Sequence, residues 1–430
     1  MSSSFANITT LPPDPLFGLS ARFKADDRSS KVDLGIGAYR DNSGKPWILP
    51  AVKLAEKKLQ SDNTYNHEYL PISGHQPFTS AAAKVILGSD SAVIRDDAVV
   101  SIQSLSGTGA LHVAASFLNK FYTAGENEAA RKTIYISNPT WANHVQIFES
   151  VGMKTAQYPY WDADTKSLDL KGFLAAIEAA PRGSIFLLHA CAHNPTGLDP
   201  TQAQWKQIIK AINDRGHLPI FDSAYQGFAS GSLEADSWAV RYAIAEQSKT
   251  QQPIFICQSF AKNVGMYGER AGVIHVISPD FKNKNAFQAV STNLQKIIRS
   301  ELSNPPAYGA KVVATVLNSP ELYKQWEQDL VTMSSRISLM RASLKLALDK
   351  LEGQTGGNSN WEHIVSQQGM FSFTGLSALQ VSRMEKEHAV YLVSSGRISM
   401  AGLNEDNVEY VAKAIHEVVG HTYSETRAVI

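Results

Sequence analysis

Six short segments of this chain are almost wholly apolar and do not alternate with polar residues: Ala98–Ile102, Thr133–Ile136, Ser184–Leu188, Leu218–Phe221, Ile254–Cys257 and Gly272–Ile277. A strand with one wet face alternates, whereas a strand covered on both faces reads as a continuous apolar run. Between these runs, segments such as Gly109–Phe121 and Gln202–Asp214 carry apolar residues at helical spacing. Strands of this kind, separated by helices, restrict the chain to an α/β architecture with a mostly parallel central sheet flanked by helices.

The pattern changes at Pro320. Leu322, Trp326, Leu330, Met333, Ile337, Met340, Leu344, Ala347 and Leu351 recur every three or four residues and predict one long amphipathic helix. The loop Gly353–Asn360 (GQTGGNSN) is expected to end it at Gly353. Shorter strands and helices follow. The expected organisation is a large ligand-binding α/β domain over 47–329. A smaller α+β domain over 330–430 joins it through the long helix, with 1–46 as an N-terminal arm. The arm is rich in proline and packs on the small domain or on a partner.

Composition excludes several classes of function. Forty basic residues balance forty acidic ones, so no net field attracts nucleic acid or an anionic membrane. No apolar run is long enough to span a bilayer. Cys191 and Cys257 are the two cysteines and lie in no CxxC pair, which suits a reducing compartment and argues against a zinc ribbon. The N-terminal MSSSFANITTLPPDPLF lacks the charged and apolar regions of a leader, and the terminal Arg-Ala-Val-Ile is not a peroxisomal address. A cytoplasmic protein is expected. The sequon Asn7-Ile8-Thr9 carries no meaning there.

Polar residues follow the apolar runs. Ser106-Gly107-Thr108-Gly109 opens a helix after VVSIQSL, Asp222 follows LPIF, Asn194 follows the run ending near His189, and Ser259 and Lys262 follow IFIC. Ligands of open α/β sheets bind beyond the carboxyl ends of the strands, so these residues can share one crevice. Each also has a plainer reading. The Ser-Gly-Thr-Gly turn suits phosphate but also an ordinary helix cap. Lys262 could be a desolvated amine poised for Schiff-base chemistry or a solvated loop lysine. Asp222 could cap a turn or partner a buried cationic ring nitrogen. Trp141 could stack on a ring or fill a core. Arg299 and Arg397 could each fork onto a carboxylate or lie on the surface. His189 and His193 have metal-like spacing but bring no third ligand, so no metal is expected.

Taken together, these residues resemble the fold-type I pyridoxal-phosphate (PLP) enzymes, and among them the aspartate aminotransferase family of eukaryotic, cytosolic, fungal-like type. LGIGAYR, YNHEYLPI, SLSGTGAL, NPTWANH, HACAHNPTGLDP, FDSAYQGF, QSFAKNVGMYGER, IIRSELSNPPAYGA, GMFSFTGL and SGRISMAGL occur in the family's order, from Pro13 to about Val418. The resemblance implies that the large domain binds PLP, with Lys262 as covalent anchor and proton carrier and Asp222 paired with the ring nitrogen. His144 and His189 support Asp222. Tyr225 and Asn194 bond the ring 3′-oxygen, and Trp141 stacks on the ring. Ser106, Gly107, Thr108, Ser259 and Arg270 hold the phosphate, joined by Tyr69 from the other subunit of a homodimer. Arg397 grips the substrate α-carboxylate, with Gly37 and Asn194 assisting and Phe371 beside it. Arg299, donated by the partner subunit, pairs with the distal carboxylate.

The reaction implied is L-aspartate and 2-oxoglutarate to oxaloacetate and L-glutamate, in a ping-pong cycle. Two other readings compete. An aromatic or broad-specificity aminotransferase on the same scaffold is opposed by Arg299. A catalytically inactive scaffold relative is opposed by the presence of Lys262, Asp222 and Arg397 together.

Overall fold

The computed structural model describes residue 5 and residues 7–247, 252–357 and 359–427. The first four residues and the last three, parts of the two terminal segments read above, lie outside the described residues, as does Asn358 of the loop Gly353–Asn360.

The six apolar runs are all strands: β1 (Val99–Leu105), β2 (Thr133–Asn138), β4 (Ile185–His189), β5 (Leu218–Ser223), β6 (Ile254–Ser259) and β7 (Ala271–Ile277). They join with β3 (Lys154–Pro159) in one seven-stranded sheet of order β1-β7-β6-β5-β4-β2-β3. Every neighbouring pair is parallel except those of β7, which runs antiparallel to both β1 and β6. Every residue of β4, β5, β6 and β7 is buried, as their lack of alternation requires. The apolar pattern does not mark β3. It lies at the sheet edge, and its Lys-Thr-Ala-Gln-Tyr-Pro sequence buries only Tyr158. An edge strand with an exposed face has no apolar run to betray it.

Among the helices are α1 (Pro15–Ala25), α2 (Ser106–Phe121), α3 (Gln202–Asp214), α4 (Pro320–Thr355) and α5 (Val408–Arg427). α2 packs on β7 and β6, while α3 covers the other face with Trp205, Ile208, Ile209 and Ile212 against Phe186, Leu188 and Phe221. A capping box between Thr201 and Gln204 starts α3.

α4 has 36 residues and buries Leu322, Trp326, Leu330, Met333, Ile337, Met340 and Leu344 of the expected stripe, but at its C-terminal end the buried position is Leu348, with Ala347 and Leu351 only partly covered. It does not stop at Gly353. A side chain at Gly353 would meet open space, so that glycine rides on the solvent face, and the helix ends at Gly356 in the left-handed conformation (φ +69°).

The C-terminal part packs α5 along α4 and carries the antiparallel pair β8 (Phe371–Phe373) and β9 (Arg397–Ser399). The N-terminal arm packs on this part. Val32–Asp33 pairs in parallel with Val390–Tyr391, Leu19 of α1 shares a small core with Ala389 and Tyr391, and Arg22 bonds Glu385 at 2.6 Å.

Candidate active site

Strand register brings the polar residues to one end of the sheet. His189 ends β4 directly opposite Asp222 on β5, Ser259 ends β6, and Ser106 follows β1. The α2 turn lies tight against β7, for a Cβ on Gly272 would sit 2.6 Å from the Ser106 backbone. Beyond these strand ends is a pocket of about 210 Å³ lined by Gly37, Ser106, Gly107, Thr108, Trp141, His189, Asn194, Asp222, Tyr225, Ser259, Lys262, Arg270, Phe371 and Arg397, with Leu16 and Ala224. It thus gathers residues spread from Leu16 to Arg397 in the sequence.

The plainer readings of the Ser106 turn, Asp222, Lys262 and Arg397 do not hold, whereas Trp141 both lines the pocket and packs against the core. No side chain caps α2, and the Ser106 hydroxyl instead meets that of Ser259 at 2.8 Å. The first N–H groups of a four-turn helix therefore face the pocket beside Arg270, a half-buried cation: a place for a phosphate. Asp222 caps nothing. Its Oδ2 lies 3.1 Å from His144 Nε2, and its Oδ1 is buried without a partner. Burial opposes ionisation of this carboxyl, but the hydrogen bond from His144 and the charges of His144, His189 and Lys262 outweigh it and hold Asp222 below the usual carboxylate range. Thr140 Oγ1 fixes the other His144 nitrogen at 2.8 Å.

Lys262 sits with its Nζ 5.0 Å from the Tyr225 ring centre, and among the described residues no carboxylate is within ion-pair distance of it. Burial lowers its pKa, with Arg270 adding to the effect and Asp222 opposing it. Burial raises the Tyr225 hydroxyl and keeps it a donor. Arg397 is 8% exposed, its guanidinium 4.1 Å from the centre of the Phe371 ring and 2.6 Å from the Gly35 carbonyl. Burial lowers it to about 10 and leaves Nε without a partner. A desolvated cation with free donors at the pocket wall is a seat for a carboxylate.

His144 does not line the pocket but lies wholly buried behind Asp222. His144, His189 and Asp222 place one ligand-type atom each within 4.8 Å of one another. Both nitrogens of His144 are already engaged, by Thr140 and Asp222, which makes the group an orienting chain for the carboxylate. His193 is bonded by Ser137 and Thr196 at 2.8 Å each and stacks on Tyr160, a structural histidine. Arg299 and Tyr69 are exposed and do not line this chain's pocket; Arg299 bonds Ser303 and Asn304 on its own helix end. Sequence reasoning missed Leu16 and Ala224. Leu16 arrives on the proline-rich arm, where nothing in the local pattern marks it.

A helix N-terminus for phosphate, a buried carboxylate for a ring cation and an enclosed lysine define a site for a phosphorylated, carbonyl-bearing heteroaromatic ring. The chain belongs to the class I and II aminotransferases, the family it matches over residues 29–415. It is 59% identical over 416 residues to the cytoplasmic aspartate aminotransferase of Saccharomyces cerevisiae, covering 96% of this chain and 97% of that one. The solved structure of aspartate aminotransferase from Saccharomyces cerevisiae cytoplasm superposes with a TM-score of 0.92 at 58% identity, over 97% of this chain and 99% of that one. An aromatic-amino-acid aminotransferase from Burkholderia pseudomallei, covalently bound to pyridoxal phosphate, superposes with a TM-score of 0.89 at 39% identity, over 97% of this chain and all of that one (100%).

Proposed function

We propose that this chain is a cytoplasmic, PLP-dependent aspartate aminotransferase, interconverting L-aspartate and 2-oxoglutarate with oxaloacetate and L-glutamate. The observation that carries the reading is the convergence of Lys262, Asp222 and Arg397 on one pocket. Its residues fit PLP. The orphaned Asp222 Oδ1 suits a ring N–H, and the Ser106–Thr108 turn with Ser259 and Arg270 suits its phosphate. Bound there, PLP supplies an aldehyde that condenses with amines and a cationic ring that draws electrons from the substrate Cα.

The chain's own residues do the rest. Lys262 would anchor the cofactor and carry the proton to and from the substrate Cα. Asp222, oriented by His144, keeps the ring nitrogen protonated. Tyr225 and Asn194 bond the 3′-oxygen, and Trp141 covers one ring face. Arg397, with Asn194 and Gly37, holds the α-carboxylate. Arg299 of the partner subunit takes the distal carboxylate, and Tyr69 of the partner subunit reaches the phosphate, so the working unit is a homodimer. Losing one partner of such a charge pair costs about 2–5 kcal/mol, or roughly thirty- to several-thousand-fold in selectivity. The large domain is assigned to 47–329, and the arm and small domain to 1–46 and 330–430.

The test is the visible absorption of the PLP-loaded protein. L-aspartate should bleach the band of the lysine-bound cofactor, and 2-oxoglutarate should restore it. Equal bleaching by L-phenylalanine would move the assignment to a broad-specificity enzyme, and no band after PLP addition would overturn it.

A further inference from the structure

The site described above leaves one buried cation without a role. Arg341 lies midway along α4, 4% exposed, and among the described residues no carboxylate pairs with it. Its guanidinium instead donates to three backbone carbonyls of one short segment, the turn that leads from the helical residues His363–Ser366 into β8. Nη1 bonds Ile364 O at 2.9 Å, and Nη2 bonds Gly369 O at 2.9 Å and also Phe371 O. A guanidinium is the one side chain whose planar fork can hold diverging acceptors while staying charged in a dry interior.

That turn joins the two ends of the pocket. On one side it docks against the loop bearing Asn194. Gln368 N bonds Gly197 O at 2.7 Å, and Gln368 Nε2 bonds Asp199 Oδ2 at 2.8 Å, the carboxylate that also caps the Ala192 and His193 amides. The two backbones approach closely at these glycines, since a Cβ on Gly197 would meet Phe371 O at 2.5 Å and one on Gly369 would meet the Ala192 Cβ at 2.4 Å. On the other side the turn ends in Phe371. That ring lies under the Arg397 guanidinium at 4.1 Å and stands edge-on to Tyr225, and a Cβ on Gly37 would come within 2.9 Å of it.

We propose that Arg341 is a positioning residue for substrate binding: by clamping the Ile364–Phe371 turn it sets Phe371, and through it the Arg397 guanidinium, at the correct distance from Asn194. It touches neither substrate nor cofactor. The inference rests on the reading that Arg397 receives the α-carboxylate.

The experiment compares PLP-loaded wild type with Arg341→Met and Arg341→Lys. Each is mixed with L-aspartate and, separately, with hydroxylamine, which reacts with the cofactor but offers no carboxylate to Arg397. In Arg341→Met the visible band and the hydroxylamine rate should stay near wild type. The KM for L-aspartate should rise roughly 10- to 100-fold, the size of effect a displacement near 1 Å produces, with a smaller change in kcat. Arg341→Lys keeps the charge but cannot span Ile364 and Phe371 at once, so it should fold with a KM raised roughly threefold to tenfold. It carries the test if the methionine variant does not fold. An unchanged aspartate KM in either folded variant overturns the proposal, as does an equal loss of hydroxylamine and aspartate reactivity, which would mark a merely structural role. Failure of wild type itself to react with L-aspartate would instead refute the underlying assignment.

Discussion

Gly197→Ala should uncouple the two ends of the pocket, and its size can be worked from the geometry. Gly197 has φ +69°, and a left-handed conformation costs a side-chain-bearing residue about 1–2 kcal/mol. The new Cβ would lie 2.5 Å from the Phe371 carbonyl oxygen, so backbone must move by about 0.9 Å to reach ordinary contact near 3.4 Å. That oxygen is fixed by Arg341, and the strand it begins is paired with Arg397–Ser399, so the movement passes into the carboxylate seat. Overpacking of this kind adds about 1–3 kcal/mol to the conformational cost, giving a loss of stability of about 2–5 kcal/mol. A misplacement near 1 Å can cost roughly 100-fold in rate, so kcat/KM for L-aspartate should fall by about 10- to 100-fold. Gly44→Ala is the control. Gly44 has φ +73°, but a Cβ placed there would meet no atom within 4 Å, so it should show the conformational cost alone, with activity intact. Steady-state oxaloacetate formation and thermal unfolding read both quantities. A Gly197→Ala variant as active as wild type and no less stable than Gly44→Ala would refute the reasoning.

Three further outcomes are expected. Lys262→Ala should lose the visible cofactor band and at least about 10³-fold in the aspartate half-reaction, since it removes both anchor and proton carrier; stopped-flow absorbance checks this. Asp222 is held below its usual value in the folded protein, so its stabilising effect is complete above about pH 4 and is lost as pH falls through the folded value. The melting temperature of wild type should therefore exceed that of Asp222→Asn at pH 7, with the gap shrinking in acid; a gap that widens in acid would contradict the assigned direction. Lys262→Ala and Arg299→Ala chains, each inactive towards L-aspartate, should recover about a quarter of wild-type activity when refolded together, because half of the dimers are hybrids and each hybrid holds one intact shared site. No recovery would refute the sharing of Arg299.

Much of this site is legible in the residue order alone. Lys262, Asp222, Asn194 and Ser106 each stand just past an apolar run, and a parallel sheet delivers the ends of its strands to one crevice. Arg397 and Phe371 carry no such signal, lying in strands of only 3 residues, and resemblance alone places them. Leu16 gives no signal because its contact with the pocket depends on where the arm packs, not on its neighbours in sequence.

The layering of the fold is therefore a matter of local sequence: which strands are covered on both faces, where a long helix runs, and which polar residues sit at strand ends. All of this is written in the period of apolar residues. The meaning of particular side chains comes from packing instead. Gly353 reads as a stop yet rides inside α4, because that face of the helix meets solvent. Edge strand β3 is invisible in the pattern because one side of it is wet. Arg341 reads as an ordinary helix cation between Met340 and Ala342, and it becomes a clamp only because a distant turn brings three carbonyls to it. Burial and partner geometry are set by residues far apart in sequence, and they decide whether a charge is solvated decoration or part of a site.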